Sequence, residues 1–206
     1  MDDGWRERIK KARKTQTGKV VEDFVTSAVA VVGIAVILWA VAGIWPPLVA
    51  VESGSMEPHM HRGDLIYLVD DSKFVPEDAE TVHGVVTYDE GSETGYKTFG
   101  NYGDVIVYQP NGRNGATPVI HRAVEYVEEG EKWNGSNGVQ TAQHSGFVTK
   151  GDNNRMYDQE AGISQVVKSD WVVGKAKVRV PHLGRIRLLL GSISHPDVTV
   201  PTSTPR

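Results

Sequence analysis

From Phe24 to Trp45 the chain reads FVTSAVAVVGIAVILWAVAGIW, twenty-two residues without a charge or a proline. As a helix this run is about 33 Å long, enough to cross the hydrocarbon core of a bilayer. A secretory leader is the competing reading, but the apolar part of a leader runs to about 7–15 residues and ends at small residues. This run is longer and ends in Trp45-Pro46-Pro47, so an uncleaved single-pass anchor in the lipid bilayer is expected.

Charge is divided unevenly about that run. Residues 1–20 carry seven Lys or Arg against three acids, whereas the rest carries fifteen against twenty-three, so the head is +4 and the body -8. A basic head could bind nucleic acid, but beside a membrane span it acts as a topology signal, so no nucleic-acid partner is expected. The positive-inside rule puts the head in the cytoplasm and the body outside the cell membrane. The acidic body fits a salt-rich habitat or plain solubility equally. The expected layout is a cytoplasmic head over 1–21, a transmembrane helix over 22–45, an extracytoplasmic β-rich domain over 46–190 and a disordered tail over 191–206. That tail holds three prolines and six Ser or Thr beside little that can pack. The chain has no cysteine among its 206 residues, which excludes disulfides, thiolate nucleophiles and zinc sites built on Cys.

Beyond the anchor, short β-branched or alternating runs stand between Gly, Asp, Asn and Pro clusters, the pattern of a mostly β fold. Strands are expected at Leu48–Val51, Leu65–Val69, Val82–Tyr88, Val105–Tyr108, Val119–Tyr126, Gly146–Lys150 and Trp171–Val180. No amphipathic helix of ordinary length is evident in this body. Arg62-Gly63-Asp64-Leu65 and Tyr102-Gly103-Asp104-Val105 each read as a turn feeding a strand. Residues 71–101 and 128–145 read as surface excursions. The basic and apolar stretch at 181–190 reads as a membrane-surface segment or as a last strand with a tail.

Chemistry concentrates in three places. Ser53-Gly54-Ser55-Met56-Glu57-Pro58 begins eight residues after Trp45 and reads as a turn or as a serine hydroxyl presented after a strand, with Ser55 the candidate nucleophile. A serine needs a base within hydrogen-bond reach. His121, within Val119-Ile120-His121-Arg122-Ala123, shares a strand face with Val119 and Ala123 and is either structural or that base. Gly151-Asp152-Asn153-Asn154 makes a good loop, yet Asp152 or Asp158 is also able to hold the second ring nitrogen of the histidine.

Taken together, Ser53-Gly54-Ser55-Met56-Glu57-Pro58, Arg62-Gly63-Asp64-Leu65, Gly103-Asp104-Val105-Ile106-Val107-Tyr108, Ile120-His121-Arg122 and Lys150-Gly151-Asp152-Asn153-Asn154 resemble the ordered sequence boxes of type I signal peptidases. The histidine form resembles the archaeal and endoplasmic-reticulum branch, and the similarity runs over roughly residues 22–185. The resemblance implies a β-rich serine peptidase domain, Ser55 as nucleophile, His121 as general base, Asp158 as the carboxylate of the triad and Asp152 as a supporting acid, with Asp170 an outsider. It further implies an oxyanion site at the Ser55 N–H helped by the Ser53 hydroxyl, and signal peptides of exported preproteins as substrates. It also implies contact with the translocation machinery and no metal or organic cofactor. Ten residues separate Trp45 from Ser55, so the nucleophile stays within about 36 Å of the end of the apolar run.

Three rivals remain. Lys150, or Lys97 in the first excursion, would be the base in a Ser-Lys arrangement. The body would be a binding domain if its serines and aspartates were only turn residues. His59 and His61 form the one spaced histidine pair, without a clear third metal ligand.

Overall fold

The computed structural model describes residues 4–184 of the chain. They divide into two compact units, with the boundary between Val41 and Ala42.

The first unit consists of α1, Gly4–Ala42, a helix of 39 residues, up to Val41. Its stretch Gln16–Ala42 is long and apolar enough to cross a membrane, and Phe24, Val29, Ile34 and Ile37 are all exposed. The helix therefore takes in the basic head that the sequence set apart from the span, and it stops three residues short of Trp45. Gly43, at a φ of +77°, adopts the left-handed conformation that ends helices, and Pro46 and Pro47 prevent a restart.

The second unit follows a β-rich course. The strands are β1 (Leu48–Ala50) and β2 (Leu65–Val69), then, after a short helix α2 (Tyr88–Thr94), β3 (Lys97–Thr98), β4 (Asn101–Tyr102), β5 (Val105–Tyr108), β6 (Val119–Val127), β7 (Lys132–Gly135), β8 (Gly138–Thr141), β9 (Gly146–Lys150) and β10 (Val172–Val180). Six form one antiparallel sheet in the order β1-β2-β10-β5-β6-β9, so the last strand is inserted between the second and the fifth. Alternation along the central strands feeds two apolar clusters. Val105 and Val107 join Val51, Met56, Met60, Ile66 and Leu68, whereas Ile106 and Tyr108 join Ala123, Phe147 and Val167. The two Gly-Asp turns are alike. Gly63 and Gly103 take positive φ, and Asp64 and Asp104 behind them are buried and hydrogen-bonded to the backbone N–H groups of His61 and Val86.

Two segments differ from their sequence reading. Val82–Tyr88 is no strand: Val82 and Val85 pair across a tight turn in which His83 and Gly84 have φ of +49° and +74°. A Cβ at Gly84 would lie 2.1 Å from the Asp71 carbonyl oxygen, so only glycine fits. Thr87 then caps α2, its hydroxyl accepting from the Glu90 N–H at 3.3 Å. Residues 128–145 are not only loop, since β7 and β8 form a hairpin. Trp133 anchors it against Val127, Ala142, Val148 and Val166, while Glu160 accepts the N–H groups of Ser136 and Asn137 at the turn. The tail expected over 191–206, and most of the stretch 181–190, lie outside the described residues.

Candidate active site

Ser55 sits in the loop after β1, between two apolar anchors. Val51 and Met56 are buried in the core, and backbone bonds from Val51 to Asp64 and from Gly63 to Val51 tie the loop's start to the turn before β2. The far end is a helical turn, closed by the Met60 N–H donating to the Met56 carbonyl. Loop 151–154 is docked on the near side. The Asn153 N–H donates to the Ser55 carbonyl at 2.8 Å and its side-chain amide to the Gly54 carbonyl at 3.1 Å. A Cβ on Gly151 would lie 2.6 Å from that same Ser55 carbonyl oxygen, so this approach requires glycine.

His121 lies in β6, opposite Ile106 of β5, with 4% of its surface exposed. Its Nε2 is 2.9 Å from Ser55 Oγ and its Nδ1 is 2.7 Å from Asp158 Oδ2. Asp158 is fully buried, beyond β9, positioned by its own N–H donating to the Thr149 carbonyl. Its Oδ2 also accepts from the Tyr108 hydroxyl at 2.8 Å and the Thr149 hydroxyl at 2.7 Å. Tyr108 comes from β5, His121 from β6 and Thr149 from β9, three neighbours in the sheet order, so strand pairing assembles the carboxylate's surroundings. Burial first, and then the Asp158 charge, push the Tyr108 phenol well above its ordinary range. It remains a neutral donor to the carboxylate.

A hydroxyl, an imidazole and a buried carboxylate thus form one hydrogen-bonded line, the arrangement that lets a histidine take a serine proton. Ser53 Oγ lies 3.1 Å from Ser55 Oγ. Asp152 is not brought to the imidazole, although it stands in the docked loop. Its two oxygens take the Arg122 guanidinium in a two-point bond, at 2.8 and 2.7 Å, and Oδ2 also meets His59 Nδ1 at 2.7 Å. Burial raises the Asp152 carboxyl, but Arg122 and His59 outweigh it and hold the group below the ordinary carboxylate range. Asp170 lies in the turn Ser169–Trp171 that precedes β10.

The other candidates are engaged elsewhere. Lys150 Nζ sits 5.2 Å from the Tyr157 ring and Lys97 Nζ 4.5 Å from the Tyr102 ring. His61 turns to Asp64 and Arg179, so the histidine pair diverges. Sequence reasoning missed Tyr108, Thr149, Arg122 and Asn153 as individuals. All but Thr149 lay within the quoted boxes, and alternation along β9 offered the only sequence cue to that threonine.

Ser55 and His121 open into a groove of about 540 Å³ lined by Val49, Ala50, Val107, Val119, Ile120 and Ile163 among others. Its walls come in part from β1, one of the two edge strands of the sheet, and from the start of β6. Register with β9 begins only at Arg122, so Val119–His121 pair with β5 alone.

No protein-family model matches the chain. Curated relatives do. Over 189 residues, 88% of this chain and 77% of the relative, it is 29% identical to the signal peptidase complex catalytic subunit SEC11C of Homo sapiens. Over 157 residues, 73% of this chain and 67% of the relative, it is 29% identical to the subunit sec11 of Talaromyces marneffei. A third relative, SEC11 of Colletotrichum graminicola, is 27% identical over 147 residues, 70% of this chain and 63% of the relative. These relatives are mammalian and fungal, so the archaeal half of the branch named by the sequence resemblance finds no support in them. The groove, its hydroxyl and its imidazole thus lie in a homologue of signal peptidase complex catalytic subunits, the endoplasmic-reticulum branch of the type I signal peptidases.

Proposed function

We propose that the chain is a membrane-anchored serine endopeptidase that removes N-terminal signal peptides from exported preproteins by acyl transfer through Ser55. The observation that carries this reading is the unbroken line from Ser55 Oγ through His121 to Asp158, remote in sequence and closed by bonds of 2.9 and 2.7 Å.

His121 Nε2 takes the Ser55 proton as Oγ attacks the scissile carbonyl carbon. The imidazolium gives that proton to the leaving amine when the peptide C–N bond breaks, leaving the signal peptide as an ester on Ser55. Water then attacks the ester with His121 again as base, and Oγ regains a proton. Asp158 holds the ring and balances its transient positive charge. The Ser55 N–H has no acceptor among the described residues and serves the oxyanion together with the Ser53 hydroxyl. Asp152 acts as a support, through Arg122 and His59.

The precursor enters as an extended strand between β1 and the start of β6, adding main-chain bonds at strand edges while small side chains, as in Ala-x-Ala, fill shallow apolar pockets. The apolar stretch ending at Ala42 forms the span, 1–21 stay cytoplasmic, and 46–190 act at the outer face of the cell membrane. The relatives are named as subunits of a complex, which supports assembly with other chains near the translocation machinery.

The decisive test follows cleavage of a membrane-bound precursor by full-length protein in detergent. Ser55→Ala and His121→Ala abolish it, while Lys150→Ala retains it; activity in the histidine variant would overturn the assignment of the base.

A further inference from the structure

The oxyanion role of the Ser55 N–H depends on how the Gly54–Ser55 peptide unit is turned. That bond is trans and planar, so its carbonyl and its N–H point in opposite directions. Gly54 lends the unit no rigidity of its own, because a residue without a Cβ leaves the backbone wide rotational freedom. Its orientation is set by whatever holds the Gly54 carbonyl, and two donors do so. The Glu57 N–H, at 3.2 Å, belongs to the same loop and moves with it. The Asn153 side-chain amide, at 3.1 Å, comes from a loop 99 residues further along the chain. Ser53 and Ser55 line the groove, whereas Gly54 and Asn153 do not, so the amide grips the peptide unit from behind.

We infer that Asn153 is a positioning residue for the oxyanion site: its amide draws the Gly54 carbonyl away from the groove and thereby turns the Ser55 N–H toward it, where negative charge develops. This rests on the peptidase reading above. The side-chain bond is separable from the docking of the loop. Asn153 is exposed, so truncating it empties no core volume. Its own N–H, 2.8 Å from the Ser55 carbonyl oxygen, is available whatever side chain stands at 153. The inference requires a donor at this place and not merely a group of that size. Aspartate has nearly the same shape, but when ionised it only accepts, and it would set an oxygen against the Gly54 carbonyl.

The experiment compares Asn153→Ala and Asn153→Asp with wild type, as full-length proteins in detergent cutting a membrane-bound precursor. It also measures inhibition by a peptide boronate, whose tetrahedral adduct on a serine carries the negative charge of the transition state. Outright loss of an oxyanion donor costs about 10²–10³-fold, so a donor turned aside is expected to lower kcat about tenfold in Asn153→Ala and about 10²-fold in Asn153→Asp, with KM changing by less than about twofold. Boronate affinity falls in the same order. Asn153→Asp at least as active as Asn153→Ala would leave the side chain only a space-filling part and overturn the inference. A loss carried by KM, boronate affinity unchanged beside a lowered kcat, or wild-type kcat in both variants would overturn it as well. Failure of wild type to cut the precursor would instead overturn the peptidase reading, so the two failures are told apart.

Discussion

At the scale of single residues the site is governed by close approach. Ser55 is held from both sides, by the buried anchors Val51 and Met56 and by the docked loop whose Gly151 leaves no room for a side chain. Gly151→Ala places a methyl group against the Ser55 carbonyl oxygen and shifts the Ser55 hydroxyl from the imidazole. Misplacement by about 1 Å costs on the order of 10²-fold in rate, so single-turnover cleavage falls by about that factor. Ser53→Ala, which leaves the loop's backbone intact, removes one oxyanion donor. Under the proposed mechanism kcat drops by up to about 10²–10³-fold with KM little changed. Unaltered kcat would take Ser53 out of the oxyanion site. Tyr108 and Thr149 show how a lone carboxyl group is accommodated in the interior: each hydroxyl replaces part of the water that Asp158 gives up.

At the scale of elements, the strands that carry Tyr108, His121 and Thr149 were legible because their alternation is local and each side chain's face follows from the period of two. The excursion at 71–101 was harder. A valine-rich run suggested a strand at Val82–Tyr88, but the positive φ of His83 and Gly84 breaks it, and Thr87-Tyr88-Asp89-Glu90 opens a helix instead. That pattern of Thr followed three residues later by Glu is a helix-start signature present in the sequence. Thr87→Ala removes the bond to the Glu90 N–H and lowers unfolding stability by about 1 kcal/mol, measured by denaturant titration of the full chain. The β7–β8 hairpin was hidden for another reason. Its strands carry few β-branched residues, and its stability comes from Trp133 and from Glu160, which lies 22 residues beyond Gly138 in the sequence.

At the scale of the whole molecule, charge and strand order tie distant segments together. The Arg122–Asp152–His59 group links β6, the docked loop and the turn behind Ser55. Asp152 has its carboxyl lowered in the folded state, so its contribution to stability is fully present above the ordinary carboxylate range and disappears as pH falls through the lower folded value. The difference in Tm between wild type and Asp152→Asn therefore narrows below about pH 4, where the unfolded carboxylate begins to protonate. A constant difference down to pH 2 would show that the pair contributes nothing through ionisation.

The apolar run, most strands and the candidates Ser55, His121, Asp152 and Asp158 can be read along the chain, because each of these depends on neighbours a few residues away. Which carboxylate meets the ring depends on how the strands come together. Asp152 and Asp158 stand six residues apart in one loop, and nothing local separates them. The order β5-β6-β9 brings Tyr108, His121 and Thr149 together around Asp158, while the buried Arg122 guanidinium claims Asp152. Strand pairing joins residues tens of positions apart, and no periodicity along the chain encodes which strands will lie side by side.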